Sequence, residues 1–463
     1  MSLSAEVCVL GGGPAGSTIA RRLALLGHDV VLLDRAAAPC SRVESLSPGL
    51  LHLLALLGLR DRAEAIAFLP HGEARVRWAG ADRLDGEPRL HVERERFDRL
   101  LWDSARENGI RTLRPAKASR PRRETNGWRI PVRCESGSIE IESRFVVDAA
   151  GRCSVLSGGK RRNSAPTVAL SGVWHGVPTD NLGIRLEAGR QEWLWGIPRP
   201  DKTFGVTAFL EPGRGSLAGD RGREALYRSL LGRSALLRGC LAGRLAGPVR
   251  VCDASSFVDD QPAGEGFLKV GESSFSVDPL SSQGLQAAVQ SAIQGSIVIH
   301  TLLTCPGHAA EAIEFYQARQ TEAVSRHSRL AARYYAEQGL VQDHPFWRKR
   351  SAGAPAAPER PLPQAAGPTL CPDLHLKLED RARIVTTPCL RGDLIVPMRA
   401  LAHPNLERPV AYLNDLEVAP LLDAFPHGEA ASEVLRRWSP WVSPRDGAEA
   451  LCWMWKNGVV VNR

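Results

Sequence analysis

The stretch that most constrains this chain is its opening, residues 5–35, AEVCVLGGGPAGSTIARRLALLGHDVVLLDR. An apolar run from Glu6 to Leu10 turns through Gly11, Gly13 and Gly16, with Pro14 and Ala15 between them, and continues as an amphipathic helix. A second apolar run ends at Asp34-Arg35. This order suits a dinucleotide: small residues allow a tight turn and close backbone approach, a helix N-terminus faces the pyrophosphate, and an acid about twenty residues on reaches a ribose hydroxyl. A glycine-rich loop alone is a weak signal. With strand, helix and terminal acid all in place it is a strong one.

The rest of the composition narrows the setting. The ten cysteines are scattered without a CxxC pair or metal-ligand spacing, which predicts reduced thiols in a cytoplasmic protein and no metal centre. The first strand begins almost at Met1, so no cleaved signal is expected, and no apolar run reaches the roughly 18 residues of a membrane span. The net charge of +8 is carried mostly by dispersed arginine, and reads as solubility or as an entrance for a negatively charged partner or cofactor.

Along the chain, LLHLLALLGL predicts a helix capped near Gly58, GEARVRWAG a strand, and 129–133 with 138–147 a hairpin feeding the strand Phe145–Gly151. From about 165 to 257 the runs TVALSGVWHGV, GIRLEA, QEWLWGIP and FGVTAFLEP predict an antiparallel sheet, interrupted by a helix over Arg223–Leu241. The strand FLKVGE then returns to the first domain, and helices are expected over Gly284–Leu303 and Ala309–Gln338. The predicted organisation is a Rossmann-type α/β domain, residues 1–165 and 258–350, with segment 60–92 serving the substrate side. Residues 166–257 form an inserted antiparallel β substrate domain, 351–369 are an Ala/Pro/Gly linker, and 370–463 are a small α+β module whose order of elements allows a winged-helix-like fold.

Asp148-Ala149-Ala150-Gly151, Gly271-Glu272 and the run from Asp278-Pro279 to Gly284-Leu285 follow the fingerprint in order. In this order the chain resembles the FAD-dependent monooxygenases with a p-hydroxybenzoate hydroxylase-like fold, and within them the flavin-dependent halogenases. The resemblance covers about residues 5 to 345. It implies an FAD site built from Gly11, Gly13, Pro14, Ala15, Gly16, Asp34 and Arg35 on the adenylate side. Arg42, Ser45, Arg94, Asp148, Gly151, Gly271, Glu272, Pro279, Gly284 and Leu285 complete it. The family carries an aspartate where Glu272 stands, so the carboxylate here is one methylene longer. A helix starting near Gly284 offers N–H groups to the negative charge of a reduced flavin, and Ser281, Ser282 and Gly284 are small enough to let the backbone approach the ring.

Trp193-Leu194-Trp195-Gly196-Ile197-Pro198 matches the halogenase signature WxWxIP. Alternation puts Trp193 and Trp195 on one face of a strand, either walling a pocket that keeps water from a reactive flavin adduct or packing as core. Halogenases of this branch also need a lysine to relay hypohalous acid. The matching position here falls on His71, and no lysine occurs from Met1 to Ala116. Arg75 and Arg77 are poor substitutes because a guanidinium stays protonated. His71 is either an acid or base poised near neutrality or an ordinary loop histidine.

The resulting expectation is an FAD-dependent monooxygenase that hydroxylates an aromatic or indole substrate through a flavin C4a-hydroperoxide. Its catalytic candidates are His71, Trp78, Trp193, Trp195, Pro279 and Ser282. The resemblance extends to flavoproteins that hydroxylate a protein-borne, peptidyl tryptophan in tryptophylquinone cofactor biogenesis. O2 is the co-substrate. With one nucleotide fingerprint present, electrons are expected from NAD(P)H visiting transiently or from a partner flavin reductase. The alternatives are a halogenase of an indole, pyrrole or phenol, an isoprenoid reductase of the geranylgeranyl type, and a flavin-binding regulator using its tail on DNA. No nucleic-acid partner is expected on the main reading.

Overall fold

The structure is a computed structural model that describes residues 2–36, 42–69, 73–85, 89–156, 158–177, 183–213, 219–353 and 370–463. His71 and most of the expected linker lie outside the described residues. Two compact units are formed, residues 1–299 with 316–354, and residues 300–315 with 355–463. Residues 300–315, expected with the first domain, thus group with the C-terminal unit.

At the centre of the first unit, Ser2–Leu10 pairs in parallel with Val30–Leu33 on one side and Gly137–Asp148 on the other. Arg111–Leu113 and Phe267–Lys269 extend this parallel core. All four residues of Val30–Leu33 are buried, as befits a parallel strand covered on both faces. In register, Leu10 lies beside Leu33 and Asp148, and Asp148 beside Lys269. The carboxyl ends of four strands therefore finish along one edge, where open α/β sheets place their ligands. The chain visits this sheet in three separated pieces.

A second sheet comes from the β-rich segment. Val168–His175, Phe204–Leu210, Glu192–Pro198 and Arg185–Ala188 are antiparallel neighbours. An early piece of chain completes it: Ala74–Trp78 joins Arg185–Ala188 in parallel and turns back as Ala81–Asp85. One face packs Leu170, Trp174, Leu194 and Val206 against Tyr227, Leu230 and Leu231 of the helix Asp220–Arg233. That helix was expected to run to Leu241. It stops because the buried Glu187 carboxylate accepts bonds from the Ser234 hydroxyl and from the N–H groups of Ala235 and Leu236, both at 2.9 Å, an alternative to the helical ladder.

The helices Gly284–Thr304 and Ala309–Val341 follow. The second unit comprises the hairpin Arg383–Arg391 with Leu394–Ala402 and a three-stranded sheet of Glu429–Ala430, His375–Leu378 and Val460–Asn462. The helices Val418–Asp423, Ala431–Trp438 and Pro444–Lys456 share a core with Leu376, Trp438, Leu451 and Met454 at its centre.

Candidate active site

A cavity of about 2190 Å³ lies in the first unit, lined by the fingerprint turn at one end and the inserted sheet at the other. Pockets for drug-sized ligands run about 300–1,000 Å³, so this one has room for a dinucleotide and a second molecule.

At the fingerprint end the glycines have distinct jobs. Gly11 has φ +113°, and a Cβ there would sit 2.4 Å from the Ala149 carbonyl oxygen. A Cβ on Gly16 would lie 1.7 Å from the Gly11 carbonyl oxygen, so the helix packs directly on the turn. Gly13 has no atom within 4 Å of an added Cβ and opens into the cavity. The helix Pro14–Leu25 begins there with no side-chain cap and no acid in its first turn, leaving its N–H end suited to phosphate. Asp34 closes this end, its Oδ2 2.9 Å from Arg114 Nε, with Arg35 beside it on the lining. The groups present fit FAD, whose pyrophosphate would take the Gly13 cradle and whose ribose would meet Asp34.

Further along, Arg42, Ser45 and Arg94 line the cavity. Arg94 is held between Asp98, at 3.1 and 3.2 Å, and Glu44, at 3.3 Å. Gly151, Gly271 and Glu272 form the next stretch of lining. Glu272 accepts a bond from Arg152 Nε at 3.1 Å.

Two expected cofactor residues are placed differently. Gly16 is sealed behind Gly11, as above. Asp148 is fully buried and absent from the lining. Its carboxylate accepts bonds from the N–H groups of Ala150, Val155 and Leu156 and from the hydroxyls of Ser154 and Ser273, at 2.7–3.1 Å. It ties the Gly151 turn to the Gly271 turn and so shapes the cavity from behind.

At the far end, Pro279–Ser281 is a single 3₁₀ turn whose N-cap, Asp278, accepts from Leu280 N–H at 3.0 Å. Ser282 then adopts φ +51°, which redirects the chain into the helix beginning at Gly284. Pro279, Ser282, Gly284 and Leu285 all line the cavity. Behind this loop, the Tyr335 hydroxyl lies 3.0 and 3.2 Å from the two Asp278 oxygens. Burial pushes the Asp278 carboxyl above its ordinary range and the Tyr335 phenol likewise upward.

The inserted sheet supplies the aromatic wall. Trp193, Trp195 and Ile197 share one face of Glu192–Pro198 and line the cavity, and Trp78 joins them from the neighbouring hairpin. The two tryptophans differ. Trp193 is 3% exposed and stacked on Phe209 with centroids 3.8 Å apart; Trp195 is only half-buried. Trp78 donates its indole N–H to the Tyr334 carbonyl at 3.0 Å. The same face carries a hydroxyl pair, Ser171 and Thr207 at 3.0 Å.

Sequence reasoning singled out His71 and overlooked His91. His91 lines the cavity, is 1% exposed, and lies with Nε2 2.9 Å from the Ser45 hydroxyl and Nδ1 2.8 Å from the Arg89 carbonyl. Burial lowers its pKa to about 4. No motif in the local sequence marks His91. Arg75 and Arg77 point away from the wall, both bonded to Asp82 at 2.7 and 2.8 Å. Among the described lining residues the one lysine is Lys117, on Ala116–Ala118, a strand of the fingerprint sheet.

The fold is an FAD-binding fold like that of flavin-dependent halogenases and hydroxylases. Residues 4–195 match the family described as FAD binding domain. The chain is 29% identical over 371 residues to a tryptophan 2-halogenase of Chondromyces crocatus, covering 74% of this chain and 70% of that protein. Among solved structures, the peptidyl tryptophan dihydroxylase QhpG, essential for tryptophylquinone cofactor biogenesis, superposes with TM-score 0.79 over 98% of this chain and 99% of its own, at 24% identity. The flavin-dependent halogenase CmlS superposes with TM-score 0.77 over 99% of this chain and 96% of its own, at 20% identity. No described helix is long and apolar enough to cross a membrane.

Proposed function

We propose that this protein hydroxylates an electron-rich aromatic ring, an indole by preference, with FAD, O2 and an external reductant. Bound FAD supplies the activation of O2 and the transfer of one oxygen atom. The chain's own residues bind, orient and exclude water. Gly13 and the helix Pro14–Leu25 receive the pyrophosphate, Asp34 the ribose, and the loop Pro279–Gly284 the ring. Trp78, Trp193 and Trp195 hold a flat substrate and keep water out, which positions the reacting carbon.

One observation carries the choice of hydroxylation: among the described residues the aromatic wall has no amine. Lys117 belongs to the other end of the cavity, Lys269 is buried against Asp259 at 2.7 Å, and Lys349 is paired with Glu211 at 2.9 Å. Without an amine, halide oxidation lacks the relay expected of halogenases. A protein-borne tryptophan is the preferred substrate, supported by the full-length likeness to QhpG and by the size of the cavity. Electrons come from NAD(P)H or from a partner reductase. The runner-up is halogenation, which the likeness to tryptophan 2-halogenase favours.

The test is to reduce the FAD-loaded protein photochemically, admit O2 with free tryptophan or a tryptophan-containing peptide, and weigh the products with and without bromide. Gain of oxygen unaffected by bromide is expected. Bromide-dependent incorporation of bromine would establish the halogenase reading instead.

A further inference from the structure

Resting on the reading that the cavity takes FAD, we propose that His91 is a positioning residue that turns the Ser45 hydroxyl into a pure hydrogen-bond acceptor for a donor group on the flavin ring or its ribityl chain. The argument is one of proton accounting. The Arg89 carbonyl can only accept, so the 2.8 Å contact requires the proton of His91 on Nδ1. Buried and neutral, the ring then has a bare Nε2, and the Ser45 hydroxyl 2.9 Å away must donate to it. A hydroxyl has one proton. Once that proton is committed to His91, Ser45 offers the cavity only lone pairs.

The two residues are held in register for this. Val43–Ser45 pairs antiparallel with His91–Glu93, and Ser45 lies directly opposite His91. The strand also fixes which end of the flavin is served. Two residues on, the Ser47 hydroxyl donates to Gln286 Oε1 at 2.8 Å, inside the first turn of the helix that starts at Gly284. Ser45 therefore sits on the ring side of the cavity, away from Asp34. An oxidised isoalloxazine has one ring N–H and its ribityl chain has hydroxyls, and these are the groups an acceptor can take.

The test is a double-mutant cycle on the flavin-free protein, titrated with FAD and followed by quenching of flavin fluorescence. Ser45→Ala is expected to raise the FAD Kd by about 3- to 10-fold, the worth of one hydrogen bond. His91→Phe should raise it by a similar factor, and the double variant no further, because His91 acts only through Ser45. His91→Gln, which places an amide oxygen where Nε2 lies, should restore Kd to within about 2-fold of the parent. Riboflavin, which lacks the adenylate, should show the same ratio for Ser45→Ala.

Multiplying effects in the double variant, or no effect of either single change, would overturn the positioning role while leaving the FAD reading intact. An effect confined to FAD and absent with riboflavin would overturn the ring-side assignment. Failure of the unmodified protein to bind either flavin would remove the reading on which the inference rests, and the inference with it.

Discussion

Replacing each tryptophan of the WxWxIP run by alanine should separate packing from chemistry. Trp193 is 3% exposed and stacks on Phe209 at 3.8 Å with an interplanar angle of 13°. Around it pack Trp78, Tyr335, Phe346 and Trp347. Truncating such a residue removes the transfer energy of the ring and leaves a void the neighbours only partly fill, a cost of about 3–5 kcal/mol. Against a total stability of about 5–15 kcal/mol, this is a large fraction. Trp195 is half-buried with its outer part facing the cavity, so its truncation forfeits about 1–1.5 kcal/mol, half of a full aromatic burial. The assay is urea unfolding of both variants, read as a midpoint shift at unchanged slope, alongside flavin content and the ratio of product formed to O2 consumed. Trp193→Ala should show the large midpoint shift. Trp195→Ala should keep its flavin and most of its stability yet consume O2 without product, releasing peroxide. The reasoning is refuted if Trp195→Ala is the more destabilised of the two, or if it loses its flavin.

Gly16→Ala would drive a methyl group to 1.7 Å from the Gly11 carbonyl oxygen; the purified variant should lack the flavin absorbance that the parent acquires with FAD. Asp259→Ala strands the buried Lys269 ammonium, 0% exposed and bonded at 2.7 Å, and should cost about 3–5 kcal/mol by urea midpoint, whereas Asp259→Leu with Lys269→Met should recover most of it. His91 and His327 both have pKa values lowered by burial to about 4. The unfolded chain takes up those protons near 6.5, so stability is full above that pH and falls as pH drops toward 4, by about 3 kcal/mol for each histidine at 1.36 kcal/mol per unit. Asp278, with its pKa raised by burial, opposes this trend, and unfolding midpoints that are flat from pH 7 to 4.5 in the parent and in His327→Gln alike would contradict the assignment. Gln338 Oε1 accepts from the Ala79 N–H at 2.6 Å at the turn of the hairpin that carries Trp78; Gln338→Ala should cost about 1–3 kcal/mol and raise KM for the aromatic substrate without changing FAD affinity.

The cradle was legible in the sequence because its chemistry is backbone chemistry. A turn that must have no Cβ, followed by a helix N-terminus, writes itself as glycines at fixed spacing, and the structure places Gly11, Gly13 and Asp34 around one cavity end. The tryptophan wall was legible for a similar reason: a period of two in a strand decides which side chains share a face. What the sequence concealed depends on contacts between distant segments. The resemblance implies Asp148 as a cofactor ligand, but five protein donors from residues 150–156 and 273 claim its carboxylate. The partnership of His91 with Ser45 spans 46 residues and depends on antiparallel pairing of two three-residue strands, too short to announce themselves by pattern. The helix stop at Ser234 likewise depends on Glu187, from another strand. The parallel joining of Ala74–Trp78 to the inserted sheet, which brings Trp78 to the wall, has no local signature either.

The cofactor end of the cavity and its aromatic wall present different surfaces to what they hold. Toward the cofactor the lining carries ions that are largely matched within the protein: Asp34 with Arg114, Arg94 with Asp98 and Glu44, Arg152 with Glu272. Toward the inserted sheet, Val76, Trp78, Leu186, Trp193, Trp195 and Phe209 form an apolar wall with the Ser171–Thr207 hydroxyl pair on the same face, while His175, Arg199, Asp201, Arg250 and Asp253 also line the cavity. The six apolar side chains can hold and dehydrate a ring but cannot themselves deprotonate it or pair with a charge on it, and an unpaired charge against them is strongly disfavoured. On the proposed hydroxylase reading, a ring seated against these side chains would react best if neutral and already electron-rich. An indole meets that requirement as it stands. A phenol whose attack depends on ionisation does not, so among oxygen acceptors of similar size the pocket should favour the indole.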